Sequence, residues 1–414
     1  MEPIIVVGSG LAGYSVIREL RKLDREVPVM LLSRDKGDYY SKPMLSNAFA
    51  QGKDAAALVQ TPAAEMAKQL GITVRSHIEV QGIDVARKCL TTTQGDLRYS
   101  RLVLALGADP IRIPMQGDAA DAVRSVNDIA DYAQLREAME KVGSKKTVRA
   151  ELVETSINER ISTGSMRTDV VIMGGGLIGC EFANDWAAAG FAVSVIDPGP
   201  YPLASLMPQA AGAQLLAPLA AIGVDWRFGT SVSRVDSAAT GYTLTLADGS
   251  QLQADIVLSA IGLRPRIALA QAAGLAVNRG IKVDAHLRSS DADIFALGDC
   301  AEIEGRVQPF VLPIMHAARA LAKTLAGEDT AVVFPAMPVV VKTPAHPVAV
   351  LPVARDAAGS WQTLASGNGI KMVFRDASHR ISGFVLTGEF AAERSEMTKR
   401  VGTPLVASGK TEIA

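Results

Sequence analysis

Residues 4–13 read IIVVGSGLAG, and residues 170–179 read VVIMGGGLIG. In each, a short β-branched run ends in G-x-G-x-x-G, a helical stretch follows, and a second apolar run closes the unit. The first helical stretch is YSVIRELRKLD (14–24), followed by VPVMLLS; the second is CEFANDWAAAG (180–190), followed by FAVSVID. The spacing has a physical meaning. The first glycine permits a tight turn, the second lets the backbone approach a pyrophosphate, and the third lets the helix pack closely on the strand. The helix N-terminus adds unpaired N–H groups and a positive dipole end for the phosphates. One such phrase is weak evidence, since a glycine turn with no ligand reads the same way. Two copies, each set between strand and helix, predict two dinucleotide-binding βαβ units and an α/β fold.

A chain of 414 residues has room for two to three domains of roughly 150 residues each. Lys+Arg 42 against Asp+Glu 43 leave a net charge of −1, which argues against a nucleic-acid or membrane-surface binder. Cys89, Cys180 and Cys300 lie far apart with no C-x-x-C, as expected in a reducing compartment. The opening MEPIIVVGSG has no basic n-region and no apolar h-region, so no secretory signal is expected. The uncharged stretch from Pro198 to Val224 is interrupted by prolines and reads as loop plus helix rather than a membrane span. A cytoplasmic protein is expected.

Between the two units, LVLALGADPIRIP (102–114) reads as a buried strand followed by turn residues, and IVLSAIGLRPR (256–266) repeats the phrase. DADIFALGDCAEI (291–303) is a strand ending in Gly298-Asp299. Pro313 is placed at the first position of the helix IMHAARALAKTLA, with Gly327 just past its end. From 331 onward, short β-type runs and proline turns predict a small α+β region. The expected division is 1–111 with 256–330, then 112–255, then 331–414. The polar segment 144–168 stands apart and reads as a solvated insertion in preference to a partner-binding element.

With two βαβ units, the ALG-x-x-P strand between them and the late Gly-Asp, the chain resembles the two-dinucleotide-binding flavoprotein reductases of pyridine nucleotide-disulfide reductase type. Within that group YYSKPMLSNAF (39–49), GLIGCEFANDW (176–186), FALGDCAE (295–302) and VKTPAHP (341–347) resemble the rubredoxin–NAD reductases. LASLMP (203–208) and EGRVQPFVLPI (304–314) are also similar to NADH:flavorubredoxin reductases. The resemblance covers essentially the whole chain except 144–168. It implies two Rossmann-like domains, an FAD domain split around an inserted NAD domain, with a C-terminal α+β domain on the flavin side. It also implies FAD in the first unit, NADH in the second, hydride passing between them, and single electrons passing on to rubredoxin. The implied assembly is a monomer or weak homodimer. Flavorubredoxin and ferredoxin are the alternative acceptors. A flavin-binding redox sensor, docking through 144–168, is the reading from another class.

On this resemblance Gly8, Ser9, Gly10, Leu11, Ala12 and Gly13 surround the FAD pyrophosphate. Pro43, Val80, Ala105, Leu106, Gly107 and Gly262 are further cofactor contacts. The adenosine ribose ligand is left open: Ser33 occupies the position of the usual acid, followed by Arg34 and Asp35. Gly174, Gly176, Leu177, Ile178 and Gly179 serve NADH. Asp197 ends the second strand, where a carboxylate accepts from both ribose hydroxyls and repels a 2′-phosphate; a cap before Pro198 is the alternative. Lys42, Lys342 and Glu181 are the implied catalytic residues. Lys42 sits beside the flavin, where an ammonium stabilises the negative charge that hydride brings, or is a solvated loop lysine. Lys342 has the same two readings, near the cofactors or guarding an edge strand. Glu181 lies in a first helical turn, favoured by the dipole in any case. Relatives pair this carboxylate with a lysine at the position that Asn47 occupies here, so the pair would have to come from Lys42 or Lys342. Asp299 is implied to accept from the ribityl chain, or is a plain N-cap. No cysteine lies between Asp38 and Ala50, where related enzymes carry a redox sulfur, so electrons would leave from the flavin. The five histidines show no ligand spacing, and no metal is expected. Arg264 and Arg266 are candidates for a docking face toward an acidic rubredoxin.

Overall fold

A computed structural model of the chain describes residues 2–153, 166–354 and 356–402. The strand Ile4–Val7 is buried along its whole length, as a β-branched run must be when both faces of a sheet are covered. It is the centre of a five-stranded parallel sheet. The order is Ile294–Ala296, Arg101–Leu104, Ile4–Val7, Val29–Leu32, Thr73–Arg75. The chain leaves Ile4–Val7 toward Val29–Leu32 on one side and returns at Arg101–Leu104 on the other. The strand order therefore reverses beside Val7, and a crevice opens at the carboxyl ends.

The second glycine phrase builds the same device. A six-stranded sheet runs Val224–Phe228, Val193–Asp197, Met166–Met173, Gln251–Ser259, Tyr242–Leu246, Val232–Ser237. Its first four strands are parallel and the last two form an antiparallel extension. Here the order reverses between Met173 and Ser259. Val257 pairs with Val171, so the chain changes sheet after Ser259 rather than at the expected 256. The apolar run keeps the register, and Ala260 and Gly262 end it. Two short segments, Ala108–Pro110 and Leu263–Pro265, pair antiparallel where the chain crosses between the sheets.

Both fingerprint helices start three residues earlier than their apolar periodicity suggests, at Leu11–Leu23 and Leu177–Ala188. In each the second glycine is the N-cap, so the last glycine is already in the first turn. Helix Leu11–Leu23 packs against helix Val311–Leu325. That helix begins at Val311, which places Pro313 third rather than first. A proline is tolerated there because first-turn amides have no helical partner to lose. Gly327 follows the helix with φ +102°, as a C-terminal glycine should. Helix Ile129–Val153 and strand Met166–Met173 run into the expected insertion from its two ends; the centre of 144–168 lies outside the described residues.

The C-terminal region is a five-stranded antiparallel sheet ordered Val339–Val341, Val348–Leu351, Ile381–Thr387, Ile370–Asp376, Gly359–Ser366. Its inner face joins the core of the second sheet through Val339, Val341, Val348, Val350 and Val385. No helix among the described residues is long and apolar enough to cross a membrane.

Candidate functional site

Each glycine turn excludes a side chain at two of its three glycines. A Cβ on Gly8, where φ is +118°, would lie 2.2 Å from the Ala105 carbonyl oxygen, and one on Gly13 would lie 1.9 Å from that of Gly8. On Gly10 it would meet nothing within 4 Å. The second turn repeats this. Gly174 (φ +106°) faces Ala260 O at 2.7 Å, Gly179 faces Gly174 O at 1.8 Å, and Gly176 faces open space. First and third glycines are sterically required, while the second borders free volume. Neither helix has a side-chain N-cap hydrogen bond, so their first amides remain available. The residues fit two pyrophosphates.

Around the first cradle, Ser9 Oγ lies 2.7 Å from Ser33 Oγ. Ser33 Oγ donates to Asp35 Oδ1 at 2.5 Å, and the amide of Gly37 donates to the same oxygen at 2.8 Å. The end of strand Val29–Leu32 is thus tied to the glycine loop through a serine pair with a carboxylate behind it. Val80 opens strand Val80–Asp84 two residues after Ile78, whose amide bonds Ser33 O. The Ala105–Gly107 turn closes on Gly8 from the other side. Gly298 presses on Ala12, an added Cβ there being 2.8 Å from Ala12 Cβ, which brings Asp299 to the same crevice. Gly262 lies at the sheet crossing, its carbonyl accepting from Ile111 at 3.0 Å.

Lys42, at the start of the turn Lys42–Asn47 with Pro43 behind it, points into this crevice. Its Nζ donates to Asn127 Oδ1 at 2.6 Å. Burial lowers its pKa below the ordinary lysine value, opposed by the Asp299 carboxylate. Asp299 is raised by burial in turn, with Lys42 pulling it back. Arg266 donates to Leu106 O at 2.8 Å and is paired with Asp109. This holds the sheet crossing together and makes Arg266 a poor docking residue, since its guanidinium is already engaged.

At the second cradle Asp197 accepts from Gly175 N at 2.5 Å and Gly199 N at 2.6 Å. Its carboxylate is fixed against the turn and retains lone pairs for ribose hydroxyls. Leu177 and Ile178 form the first turn of the helix, and Glu181, one turn on, is 1% exposed. Of the two candidate lysines it is Lys342 that pairs with it: Nζ contacts Glu181 Oε2, and the Lys342 amide donates to Oε1 at 2.9 Å. Ser46 Oγ donates to Oε2 at 2.5 Å. Asn47 leaves the carboxylate to them. Lys342 follows strand Val339–Val341, so the C-terminal sheet supplies a cation to the second cradle.

Ser46, Asn127 and Asp185 were not predicted. Asp185 accepts from Phe49 N and Ala50 N at 2.9 and 3.1 Å, and burial pushes its pKa up to about 6. An asparagine one residue before the helix-capping Asp128 carries no mark in sequence that separates it from a cap. The cysteines are all buried. Cys300 is pushed up to about 11 by burial and its Sγ lies 3.4 Å from Leu104 O, while burial also raises Cys180. Protonated buried thiols are poor redox centres.

Comparison with known proteins agrees with this geometry. The rubredoxin-NAD(+) reductase of Alcanivorax borkumensis is 46% identical over 97% of this chain and 99% of its own. A nitric oxide reductase FlRd-NAD(+) reductase of Aeromonas hydrophila is 37% identical over 93% of both chains. A chain of the covalent putidaredoxin reductase–putidaredoxin complex has the same fold, with TM-score 0.81 and 24% identity over 96% of this chain and 93% of that one. Residues 331–401 match the rubredoxin binding C-terminal domain. Residues 2–323 match the pyridine nucleotide-disulphide oxidoreductase family, and to that family the chain belongs.

Proposed function

We propose that this protein is an FAD-dependent reductase that oxidises NADH and passes single electrons to rubredoxin. The observation that carries the reading is the pair of sterically required glycine cradles at two strand-order reversals, joined to a region that matches a rubredoxin-binding domain. Gly8 to Gly13 would hold the FAD pyrophosphate, with Ser33 and Asp35 toward its ribose. Gly174 to Gly179 would hold that of NADH, with Asp197 on the ribose. Bound flavin supplies the conversion of a two-electron hydride donor into a one-electron source. The chain supplies position and field: Lys42 sets a cation at the flavin crevice, Asp299 accepts from the ribityl chain, and Glu181 with Lys342 orders the nicotinamide side. The proposed division places 1–111 with the segment after the second sheet in one domain, the second sheet in another, and 331 onward in a third. Buried unpaired thiols support a reducing, cytoplasmic setting.

The 37% identity to a flavorubredoxin reductase favours flavorubredoxin as the second acceptor. Steady-state NADH oxidation with rubredoxin, flavorubredoxin and ferredoxin side by side decides among them. Rubredoxin is expected to saturate at micromolar levels with the highest kcat/KM, and NADPH to be the poorer donor. No turnover with rubredoxin, or equal use of NADPH, overturns the corresponding part of the reading.

A further inference from the structure

We propose that Asn127 is the positioning residue for Lys42: its side-chain amide holds the ammonium at the mouth of the first cradle without neutralising it. This rests on the reading of Lys42 as the flavin-side cation. The amide has one orientation open to it. Asn127 Oδ1 accepts from Lys42 Nζ at 2.6 Å while Nδ2 donates to Ala108 O at 3.0 Å. An ammonium only donates and a carbonyl only accepts, so a flipped amide would lose both bonds. The residue is 7% exposed, and its main chain is fixed as well. Its amide donates to Asp131 Oδ2 at 2.9 Å, and Asp128 Oδ1 caps Ala130 and Asp131 at 3.0 and 2.9 Å. The Tyr40 hydroxyl, two residues before Lys42, accepts from Ile129 N at 3.3 Å. Segments 40–42 and 127–131 are therefore tied at two points.

The charges facing Lys42 are Asp299, Arg266, Asp128 and Asp109, and Asp109 is already paired with Arg266. An aspartate at 127 would complete an ion pair and cancel the field, as Glu181 does for Lys342. A neutral acceptor gives the ammonium its hydrogen bond and leaves its charge free to act on a developing anion.

The test uses the full-length flavin-loaded protein with Asn127→Leu, Asn127→Asp, Lys42→Met and the double variant Asn127→Leu/Lys42→Met. Three quantities are read: the rate of flavin reduction by NADH, the flavin midpoint potential, and the titration of Lys42 by NMR of isotope-labelled lysine. Asn127→Leu should slow reduction about tenfold, the scale of one charge-assisted hydrogen bond. It should also make Lys42 titrate at lower pH, because burial still opposes the charge with one acceptor fewer. Asn127→Asp should raise the Lys42 titration and lower the flavin potential. In the Lys42→Met background, Asn127→Leu should add nothing. Equal slowing in both backgrounds, or an unmoved Lys42 titration, overturns the proposal. Lys42→Met with an unchanged reduction rate overturns the role of Lys42 itself, a result distinct from the additive pattern.

Discussion

Helix Leu11–Leu23 and helix Leu177–Ala188 leave turns of matched geometry, with φ of +118° at Gly8 and +106° at Gly174. Beyond the first turn they diverge. The first opens to solvent over its last turn. It buries Ala12 to Ile17 and Leu20 and turns Lys22 and Leu23 outward. The second is buried without a break from Gly179 to Ala187, because the turn Lys42–Asn47 and strand Val339–Val341 pack on it from outside its own sheet. Three of those buried residues are polar, and each has a partner from another segment. Glu181 has Ser46 and Lys342, Asn184 Oδ1 accepts from Ala345 N, and Asp185 accepts from Phe49 N and Ala50 N. Buried polar groups are costly unless satisfied. The first cradle therefore belongs to its own sheet, while the second is also a fastening point for the rest of the molecule.

The largest effects come from filling the cradles. Gly13→Ala puts a methyl 1.9 Å from Gly8 O, and Gly179→Ala puts one 1.8 Å from Gly174 O; in both cases backbone must move. Gly13→Ala should purify without flavin. Gly179→Ala should keep flavin and raise the NADH KM at least about tenfold, the loss of roughly 1.4 kcal/mol of binding. The ratio of flavin to protein absorbance and an NADH titration read the two outcomes. Loss of flavin from Gly179→Ala as well would mean that the fastening of the second helix carries the first cradle with it.

The two lysines sharpen the comparison at the next scale. Lys342 neutralises a carboxylate that is 1% exposed, so Lys342→Met strands a buried charge. The cost is about 3 kcal/mol, the low end for a broken buried pair because Lys342 keeps part of its surface in solvent. Lys42 faces a neutral amide, so Lys42→Met leaves no unpaired charge and should cost only about 1 kcal/mol, for the Asn127 oxygen that loses its donor, while slowing flavin reduction by NADH. Thermal melts and stopped-flow reduction of both variants separate the roles. A Lys42→Met variant as unstable as Lys342→Met would show that both lysines serve the fold.

What sequence conveys here follows the reach of each interaction. The third glycine of each turn is legible because the demand for a missing Cβ arises five residues back, at Gly8 O or Gly174 O, while the first meets a carbonyl far along the chain and is legible only through the tight turn it makes. The Gly298-Asp299 turn is legible for a similar reason, as the end of a short buried strand. Asn47 removes the usual lysine from the Glu181 pair, but the choice of Lys342 over Lys42 depends on the packing of the C-terminal sheet on helix Leu177–Ala188, which no local pattern encodes. Ser46, Asn127 and Asp185 meet their partners across long chain separations and read in sequence as ordinary turn or helix polar residues. Strand Gly359–Ser366 carries no sequence signal for another reason. It is an edge strand with nearly every side chain in solvent, so it lacks the alternation that marks a half-buried one.

Asp185 tests the burial of the second helix most directly. Burial pushes it up to about 6, while the amides of Ala50 and Phe49 pull the other way; an unfolded aspartate titrates at about 3.9. Between those values the folded protein holds a proton that the unfolded chain has released. Stability must then fall as pH rises from about 4 to about 6 and level off above, by on the order of 2 kcal/mol. Asp185→Asn removes that slope. It also has a cost that does not vary with pH, because the two amides donate to separate carboxylate oxygens and a side-chain amide offers only one acceptor. Urea midpoints from pH 4 to pH 8 should thus show the variant gaining on the parent as pH rises. A stability difference constant across that range would mean that the Asp185 carboxylate is held at no electrostatic cost, and that close packing around the second helix does not penalise its charge.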